Sequence, residues 1–468
     1  MYKRQTINGL ITSISQFLGF ISLCECGIGA VVQSSLYKPL ADNNKEKVNE
    51  IYKSATVFFQ KIAIILIVYT IFLMFFFPNL VVEIEDKKTI IILILAISIN
   101  YFSQYYFGMT NKILLNADQL GFIQYGINSI ILIINVIIAI LLMYFGANVT
   151  VMKITSSIVF IVQPIYLNYF VNRKYKINKK IKLTIEPIQQ KWNGLAQHVA
   201  TVILTNTDIV ILTIFSSLGN VSIYGVYNLI VIGLKQLVIS LTAGVQSLLG
   251  NMYARKDILL NDFFNSFEVS LHIFITLIFG ITLRLIIPFV SIYTKGIEDI
   301  NYIIPSFAIL ITIAQATYCY RLPYSLMILA AGHYKQTQSS AIIEVIINII
   351  LSIAFVKYYG LIGVTIGTII AMLYRTCYFA VYLSKNIINR NLKYFIKNLM
   401  VDIFSILIMY ISTSPFKIKA SNFIEWIEIA FIVSIICIIE TIIINLIFNF
   451  KFIKKYIKFI QKNFFNKE

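Results

Sequence analysis

Charge is the first thing this sequence lacks. Only 13% of its 468 residues are Asp, Glu, Lys or Arg, against roughly 25% in an average soluble chain. Hydrophobic residues make up 58%, and no polar stretch between the apolar runs is long enough for a soluble domain. A soluble globular protein is thereby excluded. Cysteine is also sparse. Cys24, Cys26, Cys319, Cys377 and Cys437 all fall in apolar runs, are odd in number and form no C-x-x-C or Cys/His cluster. Cys24 and Cys26, two apart on a helix, point to different faces. Metal-binding and redox roles fall away with them. Met1 to Leu10 lacks the basic, apolar, small-residue order of a cleavable signal peptide.

What the chain does contain is apolar runs of roughly 20 residues, each long enough to cross a bilayer. Thirteen spans are expected, at 9–37, 54–78, 89–110, 122–145, 149–171, 195–217, 221–247, 263–292, 301–321, 338–358, 361–384, 397–413 and 424–448. The formal charge of +18 would suggest a nucleic-acid partner in a soluble protein. Here the basic residues cluster in the loops, and the positive-inside rule accounts for them without nucleic acid. With the basic tail K-F-I-K-K-Y-I-K-F-I-Q-K in the cytoplasm, the inside segments hold 26 Lys and Arg and the outside segments 8. That bias orients the chain as a multi-pass cell-membrane protein with a cytoplasmic C-terminus. Thirteen spans then leave Lys3 and Arg4 outside, against the rule.

The longest inside connection, the basic 172–194, separates a first lobe, 1–171, from a second, 195–384. A further helix pair, 385–448, and a basic cytoplasmic tail, 449–468, follow. A weak internal echo supports two related lobes. Tyr106, Leu115, Ala117, Gln124 and Gly146 align at one constant offset with Tyr320, Leu329, Ala331, Gln338 and Gly360. Internal repeats with the substrate held between halves are the usual architecture of secondary transporters.

Ionisable side chains inside spans are expensive and mark functional positions by default. Glu25, Asp208, Lys235, Glu344 and Arg375 lie deep in their runs. Polar residues recur at helical spacing: Thr201, Thr205 and Asp208; Tyr224, Asn228 and Lys235; Glu268, His272 and Thr276; Ser340, Glu344, Asn348 and Ser352. Thr368 and Arg375 share a helix with the row Tyr374, Tyr378 and Tyr382. Asp208 and Lys235 read as lining a pathway, with a structural ion pair as the lesser alternative. Lys61, Lys153, Arg284, Arg321 and Asp402 lie near expected helix ends, where snorkelling to the headgroups accounts for most of them. Deep cations suit a phosphate-bearing substrate, since Arg grips phosphate oxygens bidentately. A deep carboxylate can carry a proton or bind Na⁺.

The chain resembles the polysaccharide-transporter branch of the multidrug/oligosaccharidyl-lipid/polysaccharide exporter superfamily, the repeat-unit flippases for O-antigen and capsule. The resemblance is carried by I-S-L-C-E-C-G-I-G-A-V-V-Q-S-S-L-Y-K-P-L-A (21–41), T-D-I-V-I-L-T-I-F-S-S-L-G-N-V-S-I-Y-G-V-Y-N (207–228) and S-L-L-G-N-M-Y-A-R (247–255). R-L-P-Y (321–324), A-A-G-H-Y-K-Q-T-Q (330–338) and Y-R-T (374–376) complete it. It implies an all-α, two-lobe fold of up to fourteen helices, with the family's first helix missing here. It also implies an undecaprenyl-pyrophosphate-linked oligosaccharide substrate, moved by alternating access without enzymatic chemistry or a cofactor.

On that reading Lys235, Arg375, Arg321, Tyr378 and Asn348 are the substrate-binding candidates. Asp208, Glu344 and Glu25 are the candidates for H⁺ or Na⁺ coupling. Partners expected are membrane lipids and the polymerase and glycosyltransferases of the same pathway. A cation-coupled multidrug exporter is the alternative within the superfamily. A membrane glycan polymerase is disfavoured, because the outside connections are about ten residues or fewer, too short for an external catalytic loop.

Overall fold

The computed structural model describes residues 4–177 and 195–460, apart from 26, 82, 83, 85, 119, 243, 298, 299 and 417–419. Most of the 172–194 connection and the end of the basic tail therefore lie outside the described residues, as does Lys3. No strand occurs among the residues described. The helices are α1 (Arg4–Gly19), α2 (Ile28–Ala41), α3 (Lys45–Leu80), α4 (Lys87–Ser103), α5 (Met109–Ala117), α6 (Gly121–Tyr144), α7 (Val149–Tyr175) and α8 (Leu195–Phe215). They continue with α9 (Leu218–Leu241), α10 (Val245–Ala254), α11 (Leu260–Tyr293), α12 (Pro305–Ala330), α13 (Tyr334–Asn386), α14 (Lys393–Thr413) and α15 (Phe423–Ile460).

Among the described residues, eleven helical stretches are long and apolar enough to cross a membrane. One of them, Lys335–Asn386, turns back at Gly360 and so supplies two spans. The 26-residue α12 is also of spanning length. Every one of the thirteen expected segments is thus helical. The first is interrupted: α1 runs into a 3₁₀ segment, Phe20–Glu25, and α2 begins after Gly27, whose φ of 71° is left-handed. Many large apolar side chains point outward, Phe75 being 77% exposed, and α6 buries only Gln124 and Ile131. In water such faces would aggregate; in hydrocarbon they are solvated, while helices satisfy their own backbone hydrogen bonds.

The chain forms two compact units, Met1–Val221 and Ser222–Glu468. The boundary falls later than the expected 172–194 connection, because α8 packs into the first unit. Ser13 and Thr213 share a 2.7 Å hydroxyl hydrogen bond, and His198 Nε2 lies 2.8 Å from the Ser22 carbonyl. The helix pair at 385–448 is no appendage either. Met409 of α14, with Val433 and Cys437 of α15, forms a buried cluster with Leu285 of α11. Gly280 of α11 makes room for it: a Cβ there would lie 2.6 Å from Met409 Sδ.

The internal echo extends to the helices themselves. At the constant offset that pairs Gly146 with Gly360, α1 falls on α9, α2 on α10 and α3 on α11. α4 and α5, with the π-helical Gln104–Gly108 between them, fall on α12. α6 and α7 fall on the two arms of α13, while α8, α14 and α15 stand outside the register. Gly146 and Gly360 both occupy the turn between antiparallel helices, with φ of 72° and 52°. Only glycine adopts such a conformation without strain, which is why this pair survives where most neighbours differ.

Candidate functional site

The site is built on α13. At Gly360 the backbone takes φ 52°, ψ −124°, and the two arms run back to back. Their register is read from two contacts. Asn348 Nδ2 donates to Thr368 Oγ1 at 3.0 Å, and Ser352 Oγ donates to the Val364 carbonyl at 3.3 Å. Two glycines let the arms touch. A Cβ on Gly363 would sit 2.3 Å from the Phe355 carbonyl oxygen, and one on Gly367 would sit 2.6 Å from Ser352 Oγ. The row Ser340, Glu344, Asn348 and Ser352 is fully buried, as its four-residue spacing predicts for one face.

Glu344 sits in that row and is shared by two arginines. Its Oε1 accepts from Arg321 Nη1 and its Oε2 from Arg375 Nη1, each at 2.5 Å. Arg321 comes from α12 and Arg375 from the second arm. The Arg321 guanidinium lies over the Tyr318 ring at 4.7 Å, and Lys235 of α9 places its ammonium over the same ring at 4.6 Å. Arg375 lies 5.0 Å from the Phe379 centroid. Two arginines thus share one carboxylate, and a third cation shares the Tyr318 ring with one of them. Glu344 is 0% exposed and Arg375 2%, yet Arg375 Nε and Nη2 find no hydrogen-bond partner among the described residues. Buried donors left unmade cost about 1–3 kcal/mol, and the oxygens of an anion could accept from them.

Arg321 was expected at a helix end, free to reach the headgroups. Instead α12 continues to Ala330, placing Arg321 well inside the helix, buried and paired. Tyr378 is half-buried and stacks on Tyr382, with centroids 6.1 Å apart and Tyr374 on its other side. Asn348 serves the junction between the arms. Asp208 lies in the first unit on α8, 4% exposed, and Lys235 in the second. Glu25 ends the 3₁₀ segment of the first unit and accepts from the Tyr105 hydroxyl, 2.5 Å away in the π-helical segment. Two departures from α-helical geometry meet there; π-bulges are frequent at functional sites.

A second buried group escaped the sequence in part. Glu268, His272 and Thr276 share a face of α11 as expected, but they meet Asp402, which was expected to snorkel. α14 begins at Lys393 rather than 397, so Asp402 is nearer mid-helix and only 5% exposed. Its Oδ2 lies 2.6 Å from His272 Nδ1. Arg390, counted among loop cations, forks onto Glu268 at 2.5 and 2.8 Å. Starting α14 four residues earlier would have exposed this signal.

The internal register sets apolar residues against these ionic groups. Glu344, Arg375, Arg321, Lys235 and His272 stand where the first unit has Ile130, Ile161, Phe107, Ile21 and Phe58. Helices form at the corresponding sequence positions there without these charges.

The chain is a multi-pass, all-helical membrane protein with the fold of the multidrug/oligosaccharidyl-lipid/polysaccharide exporter superfamily. Two solved structures carry that statement. One is the lipid II flippase MurJ in an inward closed conformation, with a TM-score of 0.66 at 18% identity, covering 96% of this chain and 98% of that one. The other is an inward-facing multidrug resistance MATE family transporter of the MOP superfamily, with a TM-score of 0.59 at 14% identity, covering 82% and 96%. No family model matches the chain, and no curated protein matches it in sequence. At these identities the likeness is one of fold.

Proposed function

We propose that the protein is a flippase that carries undecaprenyl-pyrophosphate-linked oligosaccharide repeat units across the cell membrane by alternating access. Surface polysaccharide of the capsule, O-antigen or exopolysaccharide kind is the product served. The observation that carries the reading is the buried cationic group: Arg321 and Arg375 sharing the carboxylate of Glu344, with Lys235 on the Tyr318 ring beside Arg321. A buried group with this excess favours a multiply charged anion, and the free edge of Arg375 suits pyrophosphate oxygens. Tyr378 and its stacked neighbours offer ring faces to a sugar. The fold shared with a lipid II flippase and the motifs at 321–324, 330–338 and 374–376 support the same reading.

In this proposal Glu344 is the strut that holds two arginines apart and aimed. Both its oxygens already accept from guanidiniums, so H⁺ or Na⁺ coupling falls to Asp208 and Glu25 in the first unit. With the C-terminus in the cytoplasm, as the charge bias supports, Glu344 and Arg375 lie in the inner half of the membrane and meet an incoming substrate early. Glycosyltransferases that build the repeat unit and a polymerase that consumes it are the partners this place in a pathway requires.

A cation-coupled multidrug exporter is the second reading, supported by the likeness to the MATE transporter. Cationic drugs would be repelled by the same group that suits a pyrophosphate. Vesicles containing the protein and a lipid-linked oligosaccharide decide between them. Transfer of the glycan to the leaflet where an added glycosidase reaches it is expected. Efflux of small cations with no movement of the glycan would overturn the proposal.

A further inference from the structure

The group around His272 plays no part in that reading and joins α11, α12, α14 and the connection between α13 and α14. None of the side chains of His272, Asp402, Glu268 and Arg390 is more than 7% exposed. Asp402 Oδ1 accepts from Thr276 Oγ1 at 2.8 Å, and its Oδ2 faces His272 Nδ1. Thr276 has a single hydroxyl proton, already given to Asp402, so the Tyr320 hydroxyl 2.7 Å away donates to Thr276. Glu268 Oε1 accepts from the Tyr324 hydroxyl at 2.5 Å and from Arg390 Nη2, and Oε2 accepts from Arg390 Nη1. α15 also packs on α11, but its Glu440 and Arg284 of α11 both lie near Cys437 instead.

Two independent counts give the same protonation state. By charge, two carboxylates stand against one guanidinium, so a neutral His272 leaves one uncompensated negative charge in a buried site, and one proton cancels it. By donors, Nδ1 faces a carboxylate oxygen and must donate. His272 Nε2 lies 3.4 Å from the Tyr324 oxygen, whose only proton is committed to Glu268. A bare Nε2 would set lone pair against lone pair; a protonated Nε2 donates. Both ring nitrogens therefore carry hydrogen.

We propose that this network is a binding site for a single proton, held on His272 against Asp402, and that its occupancy keeps α14 seated on α11 and α12. A metal cation is not accommodated. Among the described residues no group of three or more His, Cys, Asp and Glu is placed to hold one, and Arg390 with a doubly protonated His272 already balances the two carboxylates.

The test needs no transport assay, so it stands or falls separately from the proposed function. The full chain, labelled at its histidine ring nitrogens, is placed in lipid nanodiscs and followed by NMR. There are three histidines, and the signal lost in His272→Gln identifies the one concerned. His272 is expected to show two protonated nitrogens near about pH 6 and to release one proton in a single step at higher pH. Asp402→Asn is expected to abolish or move that step. Thr276→Val, which leaves every charge in place, is expected to move it measurably if Asp402→Asn does not fold. Amide exchange in α14 is expected to quicken above the step. A His272 signal of one neutral tautomer throughout about pH 5 to 9 overturns the proposal. So does a step unchanged in both Asp402→Asn and Thr276→Val, or α14 exchange that ignores it.

Discussion

Glu344 and Ile130 hold the same register position in the two repeats, one enclosed at 0% exposure and ion-paired twice, the other 58% exposed and apolar. A helix therefore forms at that register position without the charge. Its presence in the second unit alone points to work done there, since a buried ion group is no better than apolar packing as a source of stability.

Removing the carboxylate by Glu344→Gln should be severe. It strands two guanidiniums, and breaking a buried pair costs about 3–5 kcal/mol. Thermal unfolding of purified protein in detergent should show a large fall in the midpoint. The triple variant Glu344→Leu, Arg321→Met, Arg375→Met should recover most of that loss, because all three charges leave together. It should nevertheless fail to move a lipid-linked glycan. A triple variant as unstable as Glu344→Gln would show that the charges hold the arms of α13 together.

Lys235→Ala separates binding from folding more gently. The structure gives its ammonium a ring contact with Tyr318 and no ion pair among the described residues. The variant should reach the membrane at near wild-type level while glycan transfer in vesicles falls roughly ten- to hundredfold, the effect of losing about 1.5–3 kcal/mol of charged hydrogen bonding. Arg375→Lys should behave similarly for transfer, since Lys keeps the charge but loses the planar fork. Transfer unchanged in both would remove the anion-binding role.

The helices were legible because apolar runs of spanning length leave few alternatives. All thirteen segments fall on helix, and the four-residue row through Glu344 announced its buried face. What sequence could not supply was where α12 and α14 end and begin in space. Arg321 and Asp402 each sit within a few residues of a plausible helix end, where the local pattern permits snorkelling. Only the longer helices and the neighbours they meet, Glu344 for one and His272 for the other, decide against it. The pairing of Arg321 with Arg375 across one carboxylate joins residues from separate helices, and no local pattern encodes that.

The turn of α13 offers the sharpest test of the repeat. Gly360, at φ 52° and ψ −124°, occupies a region closed to side chains, so Gly360→Ala should cost about 1–3 kcal/mol. Gly146, at φ 72°, has nothing within 4 Å of a built Cβ, so Gly146→Ala pays only the left-handed penalty of about 1–2 kcal/mol. Gly363→Ala is different in kind. Its Cβ would lie 2.3 Å from the Phe355 carbonyl oxygen, forcing the arms apart and pulling Arg375 from Glu344. Thermal midpoints should fall for all three, but only Gly360→Ala and Gly363→Ala should also lower glycan transfer per folded molecule, because only they disturb the hairpin that carries the ionic group. If Gly146→Ala reduced transfer as much as Gly363→Ala at equal folded protein, the two repeats would not differ in function.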